Sequence, residues 1–374
     1  MRNKTNAKLI LAVLALFGYI ATDAMAQAGG SAVPFLLISP DARASAMGDV
    51  GTGIADDINA VYWNPAGLGF HTYINPDAEF EEDLIPYRQV SLTYSKWLPQ
   101  FNADLFYSTA TVGHYFESLD GTVAFNFIFM NLGEFTRTDY SGKELGKFIS
   151  NEYTVGISYG TMITEGLAFG AQGRFILSNL APKSATDGGD AGTGMSGGLD
   201  LSLLWRPSKL DLFGWDIGKK FSLGFNLQNI GPKVTYRKEA DPLPTNLRLG
   251  MAMNLFQDEF NDLKFACDVS KLLVYRDSLG SDPIPTSFVT AWKNPGVELA
   301  LGMEYWYKFN NIPLFALRGG YFTEPARLGN RNYFTFGAGV KYNVFNIDMS
   351  FISPTEENHP LANTMRFSLL IDWK

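Results

Sequence analysis

Apolar residues occupy every second position from Met365 to Trp373 in NTMRFSLLIDWK, the last stretch of the sequence. Polar residues such as Arg366 and Asp372 separate the apolar ones. A period of two indicates a β-strand with one apolar and one polar face. The apolar face would pack on the core of a soluble sandwich or would meet lipid on an outer-membrane barrel. The apolar positions are Met365, Phe367, Leu369, Ile371 and Trp373.

The same period recurs in fourteen segments between Arg88 and Trp373. Most of them have about ten residues, the length that a tilted strand needs to cross a bilayer. The number is even, as in most bacterial outer-membrane barrels. The segments are residues 88–98, 105–116, 121–131, 152–162, 166–178, 195–206, 221–230, 246–255, 263–272, 296–307, 312–322, 333–344, 346–353 and 364–373.

The connections between the segments alternate in length. Those after the third and every later odd-numbered segment are long, as at residues 179–194 and 273–295, whereas most of the others are short, as at 163–165. Long outer loops and short periplasmic turns are typical of outer-membrane barrels. We therefore predict an all-β fold, a 14-stranded antiparallel transmembrane outer-membrane β-barrel of residues 88–374. The short first outer loop, 99–104, and the long connection 207–220 depart from the pattern.

The N-terminus has the features of a secretory signal peptide. Basic residues precede an apolar run at residues 9–20, and Ala24-Met25-Ala26 is a typical cleavage site. We predict that residues 1–26 are removed and that the mature chain starts at Gln27. The predicted location is the outer membrane of a Gram-negative bacterium, with membrane lipid around the barrel.

Charge and cysteine content exclude some functions. Without residues 1–26 the chain loses three basic residues and Asp23, so its formal charge changes from -8 to about -10. An acidic exported protein is a poor candidate for binding nucleic acid. Cys267, the single cysteine, cannot form an internal disulfide and lies on an apolar strand face. We interpret it as a small apolar residue.

Residues 27–87 lack the two-residue period. They contain short helical patterns near residues 42–47 and 58–63, and Asn64-Pro65 ends the second pattern. This segment is too polar to lie in lipid. We predict a small helical and irregular N-terminal plug in the mouth of the barrel. Its candidate residues are Arg43, Asp49, Trp63, Asn64 and Pro65.

Charged residues on the inward face of the predicted strands nearly cancel. A balanced set favours internal ion pairs that hold the plug, because a charge-selective pore would be biased towards one sign. A substrate path is the alternative. The inward charged residues are Arg174, Arg206, Arg248, Lys264, Arg318, Lys341 and Arg366, with Asp200, Asp268, Glu298, Glu304, Asp348 and Asp372.

No residue pattern predicts catalysis. Residues 194–198 match G-x-S-x-G but follow a loop and enter a strand, whereas a nucleophile elbow links a strand to a helix. His71, His114 and His359 are dispersed and make no metal-ligand spacing. A lipid hydrolase built on His114 would need a serine and a carboxylate that the sequence does not pair with it. A polar loop is the interpretation of residues 187–190, and we expect no catalytic residue, metal or cofactor.

Several stretches resemble the PorV family, outer-membrane shuttle proteins of type IX secretion. The segment Ala66-Gly67-Leu68 departs from that family and is closer to the wider fatty-acid-transporter-like barrels. The stretches that carry the resemblance are PFLL at 34–37, DAR at 41–43, MGD at 47–49, WNP at 63–65, FNLQNIGPKVTY at 225–236, PTNLRLG at 244–250, GNRNYFTFGAGVKYNVF at 329–345 and NHPLANTMRF at 358–367.

The resemblance implies a function as well as a fourteen-stranded barrel with a plug. Such a protein binds the C-terminal signal domain of secreted cargo as it leaves a large outer-membrane translocon. It then carries the cargo to a sortase-like attachment complex at the cell surface. The alternative is a fatty-acid-transporter-like channel for hydrophobic compounds, which predicts a continuous apolar pocket inside the barrel.

The outer loops carry aromatic and apolar residues among charged ones. Exposed residues of this type are common in protein contacts. The alternative interpretation is that they pack on one another and cap the barrel. The candidate contacts with cargo or partners are Phe135, Tyr140, Phe148, Tyr236, Leu243, Tyr275 and Trp292.

Overall fold

The computed structural model describes most of the chain. The predicted signal peptide, the candidate contact Tyr140 and the loop 187–190 lie outside the described residues. The described residues are 30–73, 85–101, 103–139, 141–181, 192–212, 214–236, 239–277, 280–294, 296–309 and 312–373.

Fourteen antiparallel strands form one closed barrel, and each strand pairs with its neighbours in chain order. The last strand closes the barrel on the first, with Leu92 opposite Leu369. The strands are β1 (Arg88–Lys96), β2 (Phe106–Phe116), β3 (Gly121–Thr138), β4 (Glu144–Thr164), β5 (Leu167–Ala181), β6 (Gly192–Trp205), β7 (Phe221–Ile230), β8 (Asn246–Gln257), β9 (Asn261–Leu272), β10 (Glu298–Phe309), β11 (Ile312–Thr323), β12 (Asn332–Tyr342), β13 (Phe345–Pro354) and β14 (Met365–Asp372).

The predicted number and order of strands are confirmed, and most boundaries agree closely. The largest differences are in β3 and β4, which extend beyond the predicted segments 121–131 and 152–162. At the outer end, the residues beyond Asn131 and Asn151 pair only with each other, as Phe135 does with Phe148. This part of the hairpin projects beyond the neighbouring strands, so neither of its faces has to be apolar and the two-residue period fades.

Apolar side chains face outward from the barrel and polar or small ones face inward. On β3, Phe125 is 53% exposed and Phe127 is 42% exposed, whereas Asn126 between them is buried. An outward apolar band is what a barrel needs in lipid. Within the described residues, no helix is both long and apolar enough to span a membrane.

The two ends of the barrel differ. We call the end with the long connections, such as residues 231–245 and 273–297, the outer mouth. The other end, with short turns such as residues 165–166 and 343–344, is called the periplasmic end. Small two-stranded sheets lie at both ends. Those at the outer mouth are Val234–Tyr236 with Glu239–Asp241 and Arg276–Asp277 with Gly280–Ser281. The one at the periplasmic end is Asp211–Leu212 with Trp215–Asp216.

Residues 30–73 lie inside the barrel, and we call them the plug. They begin at the outer mouth, where the Ala32 amide donates to Pro242, and reach the periplasmic end, where Thr122 donates to the carbonyl of His71. The plug contains two short helices, α1 (Ala42–Ser45) and α2 (Ala60–Trp63). It also contains two 3₁₀ helices, Pro34–Leu37 and Pro65–Phe70.

Local sequence explains where the plug helices begin and end. The Asp41 carboxylate accepts a hydrogen bond of 2.7 Å from the Ala44 amide and caps α1. Asn64 follows α2 with an extended backbone, as expected for a residue before proline. The predicted helical patterns therefore correspond to real helices, although each has only four residues.

The plug backbone lies directly on the barrel wall. A Cβ atom at Gly320 would be 2.1 Å from the carbonyl carbon of Met47, and one at Gly170 would be 2.1 Å from the Ala66 nitrogen. Real side chains cannot approach so closely, so glycine is required where the two backbones meet. The inward glycines of the barrel thus let the plug fill the lumen.

Candidate functional site

An ion-pair network fixes the plug to the barrel wall. The Arg43 guanidinium contacts both carboxylate oxygens of Glu304, at 2.7 and 2.8 Å, and Asp56 at 2.5 Å. Arg318 on β11 contacts the same Glu304 at 2.8 Å and Asp348 on β13 at 2.7 Å. Bidentate pairs between arginine and a carboxylate are strong and directional. The network therefore fixes the position of α1 relative to three strands.

Several of the predicted inward charges form ion pairs, as expected from their balance. Lys264 contacts Asp56 of the plug at 2.7 Å, and Arg174 pairs with Asp200 within the wall. Other inward charges bind the plug backbone instead. Asp268, for example, accepts hydrogen bonds of 2.9 and 2.8 Å from the amides of residues 51 and 52.

All five predicted plug residues are buried or nearly buried inside the barrel. Asp49 accepts a hydrogen bond of 2.7 Å from the Tyr333 hydroxyl, and the Trp63 indole donates to Asp41 at 2.8 Å. The Asn64 amide donates to a wall carbonyl of β6 at 3.0 Å. The residues are Arg43, Asp49, Trp63, Asn64 and Pro65.

The carboxylates of the plug differ in proton affinity. Burial, together with the nearby carboxylates of Asp41 and Asp56, raises the pKa of Asp57 to about 6 against the opposing effect of Arg43. Burial also acts on Asp56, but Arg43 and Lys264 hold the pKa of that carboxyl well below its usual range. Within this network, Asp57 is therefore expected to titrate in mildly acidic solution.

A cavity of about 420 Å³ lies at the outer mouth, between the start of the plug and the wall. Arg331 and Arg366 add charge to its mainly apolar lining, and Arg331 is held by Glu324 at 2.7 Å. Such a cavity is large enough for a small apolar molecule or a few side chains. Its apolar lining includes Phe35, Trp97, Met130, Leu132 and Ile352.

The hairpin of β3 and β4 projects from the outer mouth. Its residues 134–149, which we call the projecting hairpin, lie beyond the last pairs that β3 makes with β2, at Asn131, and that β4 makes with β5, at Asn151. The Phe135 and Phe148 rings stack with centroids 5.7 Å apart. Phe135 remains 46% exposed, and Leu145 and Ile149 are also exposed. Leu145 and Ile149 are not among the contacts predicted from the sequence.

The other candidate contacts differ in exposure. Trp292 is exposed, and Tyr275 is half-buried beneath the Lys293 ammonium, 5.2 Å from its ring centroid. Leu243 is only 1% exposed, and it packs with Tyr236 in the apolar cluster that surrounds the start of the plug. The structure thus corrects the placement of Leu243 at the surface, because the loop folds inward over the plug. Leu243 therefore packs on other loop residues and caps the barrel, as the alternative interpretation of the loop residues predicts.

The described part of the chain contains no group of three or more histidine, cysteine or acidic side chains that could hold a metal ion. The sequence itself matches the family of the type IX secretion system protein PorV over residues 21–278. The chain belongs to the PorV family. Among curated proteins, none matches the chain.

Solved structures with a similar fold include two bacterial toluene transporters. The toluene transporter TbuX of Ralstonia pickettii is 12% identical, with a TM-score of 0.53 over 91% of this chain and 99% of that one. The toluene transporter TodX of Pseudomonas putida is 13% identical, with a TM-score of 0.50 over 89% and 96%. At sequence identities this low, the similarity shows a common fold alone. It does not show a common function. The protein is therefore a PorV-family outer-membrane β-barrel of type IX secretion.

Proposed function

We propose that this protein carries secreted cargo. It binds the C-terminal signal domain of a cargo protein at a large outer-membrane translocon and takes it to a sortase-like attachment complex at the cell surface. Membership of the PorV family supports a role in type IX secretion. The observation that carries the proposal is the projecting hairpin, whose exposed Phe135 and Ile149 stand above the outer mouth.

The filled lumen supports binding at the mouth. Arg43 and the wall glycines bind the plug tightly along the barrel, so a passing polypeptide would have to displace many buried contacts. An exposed apolar hairpin, by contrast, needs no rearrangement before it meets a partner. We propose no catalytic step for the protein, which acts by binding alone.

The test is a pull-down of the tagged protein from its own outer membrane in mild detergent, followed by mass spectrometry. We expect secreted proteins that share a C-terminal domain, and a very large barrel protein, to accompany the wild type. Phe135→Asp together with Ile149→Asp should reduce recovery of cargo at least tenfold, because each places a charge in an apolar contact.

Trp215→Asp is the matched control, since Trp215 is equally apolar and 78% exposed but lies at the periplasmic end. This variant should recover cargo as the wild type does. Recovery of the barrel without any secreted protein would refute the carrier function. Equal loss of cargo in the control and in the hairpin variant would remove the hairpin as the contact surface.

The outer-mouth cavity supports a second candidate function, a channel or binding site for hydrophobic compounds. Its apolar wall, with residues such as Trp97 and Leu132, suits a small apolar molecule. The cavity is bounded by the plug, so passage into the lumen would require the plug to move. Mass spectrometry of solvent extracts from the purified barrel tests this alternative. A stoichiometric fatty or aromatic compound, recovered without cargo, would favour it over the carrier function.

A further inference from the structure

A second cavity, of about 220 Å³, lies at the periplasmic end of the barrel. It is bounded by the plug, at Ile54 and Asp56, and by the periplasmic ends of strands β6 to β9. A water molecule takes up about 30 Å³ in the liquid, so the cavity has room for a polyatomic ion with part of its hydration water. We call it the periplasmic cavity.

Positive charge dominates the lining of the periplasmic cavity. Four cations line it, Arg206, Lys219, Lys220 and Lys264. Among the described residues, Asp56 supplies the single carboxylate of the lining, and it already contacts Arg43 at 2.5 Å and Lys264 at 2.7 Å. The cavity therefore carries an excess of positive charge in a chain whose formal net charge is -8.

Arg206 is fixed in this lining without a carboxylate partner. Its Nη2 group donates to the plug carbonyls of Ile54 and, at 3.2 Å, Ala55. The guanidinium also lies over the Phe70 ring, 4.5 Å from its centroid. These contacts hold the group in place but do not neutralise its charge. Its Nε and Nη1 groups donate to no other residue in the described part of the chain, so they are left for an anion.

The connection between β6 and β7, which is long for a periplasmic turn, supplies two of the lysines. Its own carboxylates are engaged elsewhere. Asp211 lies 3.8 Å from Lys209, and Asp216 accepts hydrogen bonds of 3.0 and 2.9 Å from the amides of residues 210 and 218. Neither Lys219 nor Lys220 forms an ion pair with any residue that the structure describes. Both ammonium groups therefore lack a counter-charge from this chain.

Backbone contacts hold these two lysines at the rim of the cavity. The Lys219 amide donates to the Pro207 carbonyl at 2.7 Å and closes the base of the connection, and the Lys220 carbonyl accepts from the Asn254 amide of β8 at 2.8 Å. Lys219 has a φ of 60°, in the left-handed region that few residues other than glycine and asparagine adopt. The Asn254 side chain also lines the cavity and has no hydrogen-bond partner among the described residues.

We propose that the periplasmic cavity binds a phosphate group between Arg206, Lys219 and Lys220. A phosphate monoester carries about two negative charges and three acceptor oxygens, which suits several cations at once, whereas a carboxylate would balance one of them. The group can belong to a soluble phosphate ester or to a phospholipid headgroup. The second source is within reach because Phe221 at the rim packs on the outward-facing Trp205, 6.3 Å between ring centroids, where aromatic residues meet the headgroups.

A bound phosphate would strengthen the attachment of the plug to the wall. Arg206 joins the wall to the plug carbonyls of Ile54 and Ala55, so an anion on Arg206 adds to a contact that exists only while the plug is in place. The Ala55 amide donates to the Gly51 carbonyl within the plug at 3.0 Å. Saturating phosphate should slow hydrogen exchange of this amide. The inference does not depend on the carrier function, since it needs no cargo.

Isothermal titration calorimetry of the purified barrel in an uncharged detergent tests the site. The probes are inorganic phosphate and glycerol 1-phosphate. Lys219→Asn together with Lys220→Gln should lower the affinity at least tenfold, because two charge-assisted contacts are lost. Asparagine tolerates the left-handed backbone, so the connection should keep its fold. Lys209→Gln is the matched control, since Lys209 lies on the same connection, is 74% exposed and does not line the cavity. Its affinity should equal that of the wild type.

Native mass spectrometry distinguishes the lipid source. The barrel is released from micelles that contain phosphatidylglycerol or diacylglycerol, which has the same chains without the phosphate. If a headgroup fills the cavity, the wild type and Lys209→Gln should retain phosphatidylglycerol and release diacylglycerol. The variant with Lys219→Asn and Lys220→Gln should release both lipids.

Two results would support the inference and two would overturn it. Binding of the soluble esters that only the double variant loses would identify a site for free phosphate compounds. Retention of phosphatidylglycerol that only the double variant loses, without binding of the soluble esters, would identify a headgroup site. The inference is refuted if the wild type binds none of these phosphate compounds. Equal loss in Lys209→Gln would also refute it, because binding would then follow total charge and not the cavity.

Discussion

Removing the Arg43 side chain is the sharpest test of how the plug is held. In Arg43→Met the plug loses a bidentate contact with Glu304 and contacts of 2.5 and 3.0 Å with Asp56 and Asp57. Breaking a buried ion pair from one side costs about 3–5 kcal/mol, because a charge remains buried without its partner.

The cost of Arg43→Met should lie at the lower end of this range, because other cations remain beside the two carboxylates. Glu304 retains Arg318 at 2.8 Å, and Asp56 retains Lys264 at 2.7 Å. We therefore expect the free energy that holds the plug to fall by about 3 kcal/mol. Local opening of the plug would then be roughly 100-fold more frequent.

Amide hydrogen exchange in detergent measures this opening. The Ala46 amide, which donates to Ala42 within α1 at 2.9 Å, should exchange roughly 100-fold faster in Arg43→Met than in the wild type. The control is Lys147→Met, which breaks the pair of Lys147 with Glu134, 2.6 Å apart on the projecting hairpin. Both of these side chains are more than half exposed, so the pair is worth about 0–1 kcal/mol.

Exchange of the Ala46 amide in Arg43→Met within threefold of that in Lys147→Met would refute the reasoning. The plug would then be held by packing and backbone contacts, and the ion-pair network would contribute little to its position.

Three further predictions concern the wall, the plug contact and pH. Phe125→Arg should lower the free energy of folding into lipid vesicles by about 2–4 kcal/mol in urea titrations, whereas Tyr342→Arg, beside a turn at the barrel end, should cost only about 0–1. Gly320→Ala should lower thermal stability by about 1–3 kcal/mol, because its Cβ would meet the plug backbone at 2.1 Å, and Gly173→Ala should have no effect. Asp57 belongs to the plug, outside the spanning strands, and its pKa of about 6 exceeds the ordinary 3.8. Its protonation therefore stabilises the folded state fully below pH 4, and this stabilisation is lost as pH rises through 6. Asp57→Asn should flatten the decline in stability across that window, and an unchanged slope would contradict the assignment.

The barrel could be predicted because each of its strands separates two environments. Lipid selects apolar residues such as Phe125 and Phe127, whereas the filled lumen selects small and polar ones such as Asn126. Apolar and polar residues therefore alternate along each strand of the sequence. Where a strand no longer separates lipid from the lumen, its residues could not be predicted as strand from the sequence. Beyond Asn131 both faces of β3 are outside the wall, so its last seven residues looked like loop.

Candidate contact residues were harder to predict than strands. Phe135 and Leu243 are both apolar residues in outer connections, yet one is exposed on the projecting hairpin and the other is buried over the plug. Nothing in the local sequence separates them. Their difference depends on whether the connection folds outward or inward, which contacts from distant parts of the chain decide.

The sequence by itself determined the number of strands, the direction that most side chains of the barrel wall face, and the presence of a polar segment that has to lie inside the barrel. These follow from local periodicity and from the solvent on each face of the wall. Only the tertiary structure decided which charges pair, where Arg43 meets Glu304, and that the loop with Leu243 folds inward over the plug. Those features join residues that are far apart in the chain, so their positions follow from closure of the barrel around the plug.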